Sequence, residues 1–134
     1  MKFQKKVRVP FSRVDAAGIV FFAHYFTVAH DAYEEFLREL GYPWEVWFEN
    51  GSWLAPLRHV ECDYFKPLVG GKEYTLEISV AKIGNTSYEM RYVYLDGTEP
   101  QAETRHVHAF MDRNTKKKMP IPDDIRGKLE KFTD

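Results

Sequence analysis

Apolar and polar residues alternate from Phe3 to Phe11. Phe3, Val7, Val9 and Phe11 fall on one side and Gln4, Lys6 and Arg8 on the other. A period of two predicts a strand. Ser12 to Gly18 breaks the pattern, and a different period follows. From Tyr25 the apolar positions are 25, 28, 29, 32, 33, 36, 37 and 40, with Thr27, Asp31, Glu34, Glu35 and Arg38 opposite. That spacing is one stripe along a helix. Gly41 suits the residue just past the helix end, and Pro43 prevents continuation. Trp44 to Asn50 has room for a short second helix.

Four more strands are predicted: Leu57 to Phe65, Lys72 to Lys82, Thr86 to Leu95 and Ala102 to Met111. Tyr74, Leu76, Ile78 and Val80 share one face, as do Tyr88, Met90, Tyr92 and Tyr94. Gly84-Asn85 and Asp96-Gly97 are turn signals between them. Pro120 and Pro122 precede a helical tail, Asp123 to Phe132. The order is strand, long helix, then four strands read as an antiparallel meander. A helix with one apolar stripe must cover a sheet face. The expectation is an α+β fold: a curved antiparallel sheet of about five strands wrapped around one long central helix, with residues 1–134 as a single domain.

Composition narrows the function. The 134 residues carry 19 Lys and Arg against 20 Asp and Glu, a net charge of −1. That balance gives no general attraction to nucleic acid or an anionic membrane. Cys62 is the single cysteine, so no internal disulfide framework or cysteine-rich metal site is available. The apolar run Ile19 to Ala23 is far short of a membrane span, and Met1 to Phe11 has no secretory-type apolar block. A cytoplasmic location is expected. His106 and His108 share a strand face, but no third ligand has suitable spacing, so no metal is expected. No G-x-S-x-G or phosphate-binding loop occurs. Lys116-Lys117-Lys118 reads as a solvated turn. Trp44, Trp47 and Trp53 follow the long helix, for core packing, for closure over an aromatic group or for a subunit contact.

The segment Val14 to Tyr25 places an acid, Asp15, in the loop between the first strand and the long helix. Apolar residues flank Gly18. A carboxylate held near apolar walls becomes a better base or nucleophile. A helix start offers N–H groups without intrahelical partners, which can hold a developing oxyanion. The pattern fits acyl transfer. It also fits an aspartate that merely caps the helix or a turn.

The string Asp15-x-x-Gly18-x-Val20 followed by His24-Tyr25 resembles the signature of the 4-hydroxybenzoyl-coenzyme A thioesterase family, a branch of the hotdog-fold thioesterases. Pro56-Leu57-Arg58-His59 leading to Tyr64-x-x-Pro67, Thr104-Arg105-His106-Val107 and Pro120-Ile121-Pro122 extend the resemblance from about Val7 to Pro122. The resemblance implies a hotdog domain that hydrolyses acyl-coenzyme A thioesters. It puts Asp15 at the catalytic acid, as nucleophile or general base, and Gly18 at the glycine that lets the loop approach substrate. It puts the Phe22 backbone N–H opposite the thioester carbonyl, His24 at a polar arranging position and Tyr25 at the helix anchor. His30 falls where hydroxybenzoyl-specific members carry an acid that contacts the substrate hydroxyl. The string His30-Asp31-Ala32-Tyr33-Glu34 resembles that of 1,4-dihydroxy-2-naphthoyl-coenzyme A thioesterases. An aromatic hydroxyaryl or short acyl group is therefore implied. His59, on a strand, either lines the site across a subunit boundary or has a structural role; the resemblance implies a homodimer or homotetramer. No cofactor is implied beyond the coenzyme A of the substrate, and neither nucleic acid nor membrane is a partner. The basic cluster that grips the nucleotide in some members is missing at Ile83 to Ser87, which leaves Arg58, Arg91 and Arg105 as candidates, or an acyl-carrier protein as carrier. A hotdog hydratase or dehydratase and a non-catalytic acyl-ligand binder are the alternatives.

Overall fold

The computed structural model describes all 134 residues. Its elements are β1 (Phe3–Arg8), α1 (His24–Glu39), β2 (Trp53–Leu54), β3 (Leu57–Tyr64), β4 (Glu73–Ile83), β5 (Ser87–Asp96), β6 (Glu99–Ala109), β7 (Met111–Asp112) and α2 (Asp123–Glu130). Five strands form one antiparallel sheet in the order β1-β4-β5-β6-β3, and β2 pairs with β7 apart from it. The sheet curves around α1. Tyr25, Ala29, Ala32, Tyr33, Phe36 and Leu37 of the helix are buried against Leu76, Ile78, Val80, Tyr88, Met90, Tyr92 and Tyr94 of the concave face. Ile125, Leu129 and Phe132 close the core at one end, where Phe132 meets Phe36 edge-on at 5.1 Å.

Three details differ from the sequence reading. The four later strands are not one meander: only β4, β5 and β6 are, and β3 pairs with β6 at the far edge. Tight turns join β4, β5 and β6, so only the outer edges of that hairpin series accept strands. β1 takes one edge and β3 the other. Segment 65–72 carries the chain back across the sheet. It is pinned where the Phe65 and Lys66 N–H groups both donate to Gln101 O at 2.9 Å, and where buried Leu68 donates its N–H to the Tyr25 hydroxyl at 3.0 Å. Second, β1 ends at Arg8 and Phe11 is 92% exposed; Pro10 interrupts the alternation that would have turned it inward. Lys5 takes an inward-side position instead, its amine paired with Glu35 of α1 at 2.9 Å. Third, the short helix after α1 is a π-helical segment, Glu45–Asn50, with Trp47 buried beneath it.

β3 stands out among the strands. Its far edge has no neighbour, and Leu57, Val60 and Tyr64 are all exposed. An open edge presents unpaired N–H and C=O groups that can template pairing with another chain; on β3 the exposed apolar residues are interspersed with Arg58, His59, Glu61 and Asp63.

Candidate active site

The loop before α1 is a small closed device. Val14 and Val20 form an antiparallel bridge, and Ile19 bridges Val69. Inside it, Asp15 N–H donates to Ile19 O at 2.9 Å and Gly18 N–H to Asp15 O at 3.0 Å. Gly18 has φ +79°, a conformation that only glycine adopts without strain. The loop lies on Gly70, whose N–H donates to Gly18 O at 2.9 Å. A Cβ at Gly70 would sit 2.9 Å from Val14 Cγ1, so a side chain there would push the loop away. Asp15 also caps its own turn: Oδ1 accepts the Ala17 N–H at 2.8 Å. The capping role weighed against chemistry is thus present, and it leaves the second carboxylate oxygen free.

Asp15 borders a cleft of about 440 Å³ lined by Ile19, Phe21, Phe22, Tyr25, Tyr64 and Phe65, with Lys66 and Pro67 at its rim. The walls are mostly apolar, as acyl sites need. Phe22 N–H and Ala23 N–H find no acceptor in the protein. The free donors therefore lie just ahead of α1, because its first N–H groups fold back: His24 N–H donates to Phe21 O at 2.9 Å. Tyr64 supplies the opposite wall. Its hydroxyl donates to Phe22 O at 3.2 Å and its ring meets Tyr25 edge-on at 4.8 Å. Burial, then its contact with Cys62, pushes the Tyr64 phenol up to about 12. Asp15 itself is exposed, so one chain does not supply the desolvation anticipated for it.

The remaining candidates do not all converge on this cleft. Tyr25 does: it is 3% exposed, its hydroxyl accepts Leu68 N–H, and its carbonyl accepts the Tyr94 hydroxyl at 2.7 Å. It anchors α1 by hydrogen bonds as well as by packing. Gly18 faces a neighbouring hollow with Phe11, Val14, Asp15 and Gly71. His24 turns to the other flank of α1, with Nδ1 3.4 Å from Thr27 Oγ1 and Arg13, Val28 and Leu68 around it. Phe22 sits in the turn before α1 and lines the cleft, whereas His24 is the first helical residue and faces a separate hollow. His30 lies on the Phe22 flank but two turns on, in a groove of about 480 Å³ with Lys5, Glu34, Trp44 and Phe48. His59 is exposed on β3, Nε2 3.7 Å from Glu61 Oε1. Tyr64, Phe65 and Lys66 were absent from the candidates. The Tyr64-x-x-Pro67 spacing marked their segment, but only the closure of segment 65–72 against α1 turned it into a wall.

The candidates for holding a carrier separate cleanly. Arg91 and Arg105 each donate through Nε to Glu103, at 2.8 and 2.9 Å. Burial acts to raise the Glu103 carboxyl, but the Arg105 and Arg91 bonds outweigh it and hold it below its usual range. Arg58 has no carboxylate within reach and shares a hollow of about 220 Å³ with Lys82, Gly84, Ser87 and Val107. Cys62 is half-buried, and burial pushes its thiol up to about 11, which removes it as a nucleophile near neutral pH. No group of three potential ligands is arranged for a metal ion, and no helix is long and apolar enough to cross a membrane.

A curved five-stranded antiparallel sheet around a central helix, with its cleft at the helix start, places the protein in the hotdog class. Over residues 9–129 the sequence matches the Thioesterase-like superfamily, and the chain belongs to that superfamily. It is 32% identical over 132 residues to a 1,4-dihydroxy-2-naphthoyl-CoA hydrolase of Nostoc punctiforme, covering 97% of this chain and 88% of the relative. It is 28% identical over 130 residues to the hydrolase of the same name from Synechococcus elongatus, covering 96% and 94%. Among solved structures, a 1,4-dihydroxy-2-naphthoyl-CoA thioesterase from Synechocystis superposes with a TM-score of 0.85 at 21% identity, over 96% of each chain. A gentisyl-coenzyme A thioesterase superposes with a TM-score of 0.82 at 23% identity, over 96% of this chain and 99% of the other. These two structures establish the fold.

Proposed function

We propose that the protein hydrolyses acyl-coenzyme A thioesters, with an aromatic hydroxyaryl or short acyl group, as a member of the 4-hydroxybenzoyl-coenzyme A thioesterase branch. The observation that carries the reading is that Asp15 and Phe22, whose N–H has no protein acceptor, line one apolar cleft. The names of its relatives favour a coenzyme A thioester of a hydroxylated ring. In the general-base form, the free Asp15 oxygen takes a proton from water as the water oxygen bonds to the carbonyl carbon. The Phe22 N–H donates to the resulting oxyanion. The C–S bond then breaks, the thiolate leaves with the electron pair, and the Asp15 proton is available to it. In the nucleophilic form, Asp15 bonds to the carbonyl carbon, the thiolate leaves, and water cleaves the mixed anhydride. A thiolate departs readily, so neither form calls for a metal or a redox cofactor. Arg58 and Lys82 are the proposed contacts for the phosphates of coenzyme A.

The same reading takes the working protein to be a cytoplasmic homodimer or homotetramer of single hotdog domains. Support comes from the open β3 edge and from the exposure of Asp15. Antiparallel pairing of two β3 strands would bring each protomer's Arg58, His59 and Leu57 end alongside the other's Tyr64 end. That would cover Asp15 and let His59, and with it the His30 flank, approach the partner's cleft. Val60→Arg puts a charge in the middle of that edge. It should convert the oligomer to monomers in sedimentation velocity; wild-type protein that sediments as a monomer would defeat the assembly.

The activity test is release of free thiol from a panel of aryl- and acyl-coenzyme A thioesters. Wild type should release thiol, and Asp15→Asn should lose on the order of 10²- to 10⁴-fold in kcat, the usual worth of a positioned base. An Asp15→Asn protein at wild-type rate refutes the assignment. Hydration without thiol release would identify a hydratase, and binding without turnover a ligand binder. Label in the Asp15 side chain after a single turnover in ¹⁸O-water identifies the nucleophilic form with water adding to the Asp15 carbonyl; trapping the anhydride with hydroxylamine detects that form whichever carbonyl water attacks.

A further inference from the structure

Beneath α1, the concave face of β5 and β6 carries a patch of polar atoms with no partners. His106 is fully buried, and neither ring nitrogen has a hydrogen bond. Tyr92 Oη and Thr104 Oγ1 are buried and unbonded, and these two residues lie opposite each other in the β5–β6 register. His108 donates from Nδ1 to Ala55 O at 2.8 Å, so its Nε2 is a bare lone pair, also buried and unbonded. The groups are neighbours: the His106 ring is 4.8 Å from Tyr92, 5.9 Å from Phe26 and 6.2 Å from His30. Native interiors rarely leave so many polar atoms unpaired together, and such a set implies a polar occupant.

The chemistry of the patch selects that occupant. Neutral His106 offers one donor and one acceptor, His108 offers an acceptor, and two hydroxyls offer either. Lys and Arg are absent from the patch, as are Asp and Glu, so neither an anion nor a cation is matched. A hydroxyl, which donates and accepts at once, is. The position also fits. His106 and Thr104 pair with Val60 and Cys62 of β3, so they form the floor between β3 and the Phe22–Phe26–His30 flank of α1. Phe26 and His30 lie four and eight residues beyond Phe22, about 6–12 Å at the helical rise carried back over the turn before α1. That is the length of a one- or two-ring aryl group whose carbonyl sits at Phe22 N–H.

We infer that His106, Tyr92, Thr104 and His108 form a hydroxyl-recognition subsite, entered past Phe26 and His30, that selects acyl groups bearing ring hydroxyls. The choice of ligand rests on the aryl-thioester reading above; the subsite itself rests on the unpaired atoms. The test uses Tyr92→Phe, Thr104→Val and the double variant, which remove only hydroxyls that no protein group bonds. Urea midpoints no lower than wild type should confirm folding. The first readout is calorimetric binding of two non-hydrolysable thioethers, phenacyl-coenzyme A and 2,5-dihydroxyphenacyl-coenzyme A. Wild type should bind the dihydroxy compound at least about tenfold tighter. The double variant should lose that advantage while its Kd for phenacyl-coenzyme A stays within about twofold, a small change on the free-energy scale. The second readout is the ratio of kcat/KM for 2,5-dihydroxybenzoyl- and benzoyl-coenzyme A, which should fall in parallel. If the variants keep the wild-type preference, or wild type has none, the patch holds ordered water only and the inference is overturned. Turnover with an unmoved ratio would leave the hydrolase reading intact and remove the subsite. Loss of binding preference in a protein without turnover would do the reverse.

Discussion

At position 15 one carboxylate oxygen is committed to the Ala17 N–H, and the other is free at the edge of the cleft. Turn capping and the proposed chemistry are therefore compatible: the capping bond holds the side chain through one oxygen and leaves the other unbonded. In the proposed mechanism, position 22 acts through its backbone N–H, which no protein group accepts. The Phe22 side chain is 62% exposed, while its N–H is held in place because Phe21 N–H donates to Arg13 O at 3.0 Å and Tyr64 Oη donates to Phe22 O. Phe22→Leu keeps the amide and most of the apolar wall. Steady-state assays should find kcat within about threefold of wild type, against the 10²-fold or greater loss typical when an oxyanion donor is removed. A larger loss would mean that the ring, not the amide, matters.

Among the elements, the π-helical segment Glu45–Asn50 is the least regular, and Arg113 holds it. The guanidinium donates to Gly51 O at 2.6 Å, Phe48 O at 3.1 Å and Trp53 O at 3.2 Å. Trp53 begins β2, and Phe48 and Gly51 lie at the end of the segment, where a helix leaves carbonyls unpaired. Through them Arg113 sets Trp44 and Phe48, the aromatic wall of the His30 groove. Arg113→Ala should cost about 1–3 kcal/mol, read by urea unfolding, and should change tryptophan fluorescence in the native baseline. Arg113→Lys can make fewer of the bonds and should recover only part.

For the whole molecule, pH acts through the interior. Burial, then the neighbouring His108 and His30, pushes His106 down to about 3; burial outweighs the Ala55 bond and takes His108 down to about 4. Unfolded histidine titrates near 6.5. Between that value and about 4 the unfolded chain binds protons that the folded chain refuses, so stability rises with pH across this window and falls as pH drops through it. Each histidine contributes up to about 1.4 kcal/mol per pH unit. Urea midpoints should hold steady from pH 8 to 7 and decline steadily from about 6.5 toward 4. His106→Phe should flatten that decline; an unchanged slope would place the titration elsewhere.

Periodicity determined α1 and the five strands of the main sheet, because buried faces repeat at 3.6 or 2 residues and leave that spacing in the chain; Gly84-Asn85 and Asp96-Gly97 marked the two hairpin turns, and the two-residue strands β2 and β7 are too short to show a period. The string from Asp15 to Tyr25 also marked the loop before α1, since a turn glycine and a helix start are local features; the role of the Phe22 N–H comes only from resemblance to a family. Strand order was not legible: β3 reaches β6 because β4, β5 and β6 fill one another's inner edges. Nor was the opposite wall of the cleft, Tyr64 to Lys66, or the separation of His24 and His30 from Asp15. The wall depends on where a segment about 50 residues from Asp15 comes to rest, and the separation of the histidines on how α1 leaves the loop; both are decided by packing that leaves no period in the sequence. The unpaired atoms of Tyr92, Thr104 and His106 belong to the same category, because a polar residue on an apolar strand face shows its hydrogen-bond deficit only once the helix has closed over it.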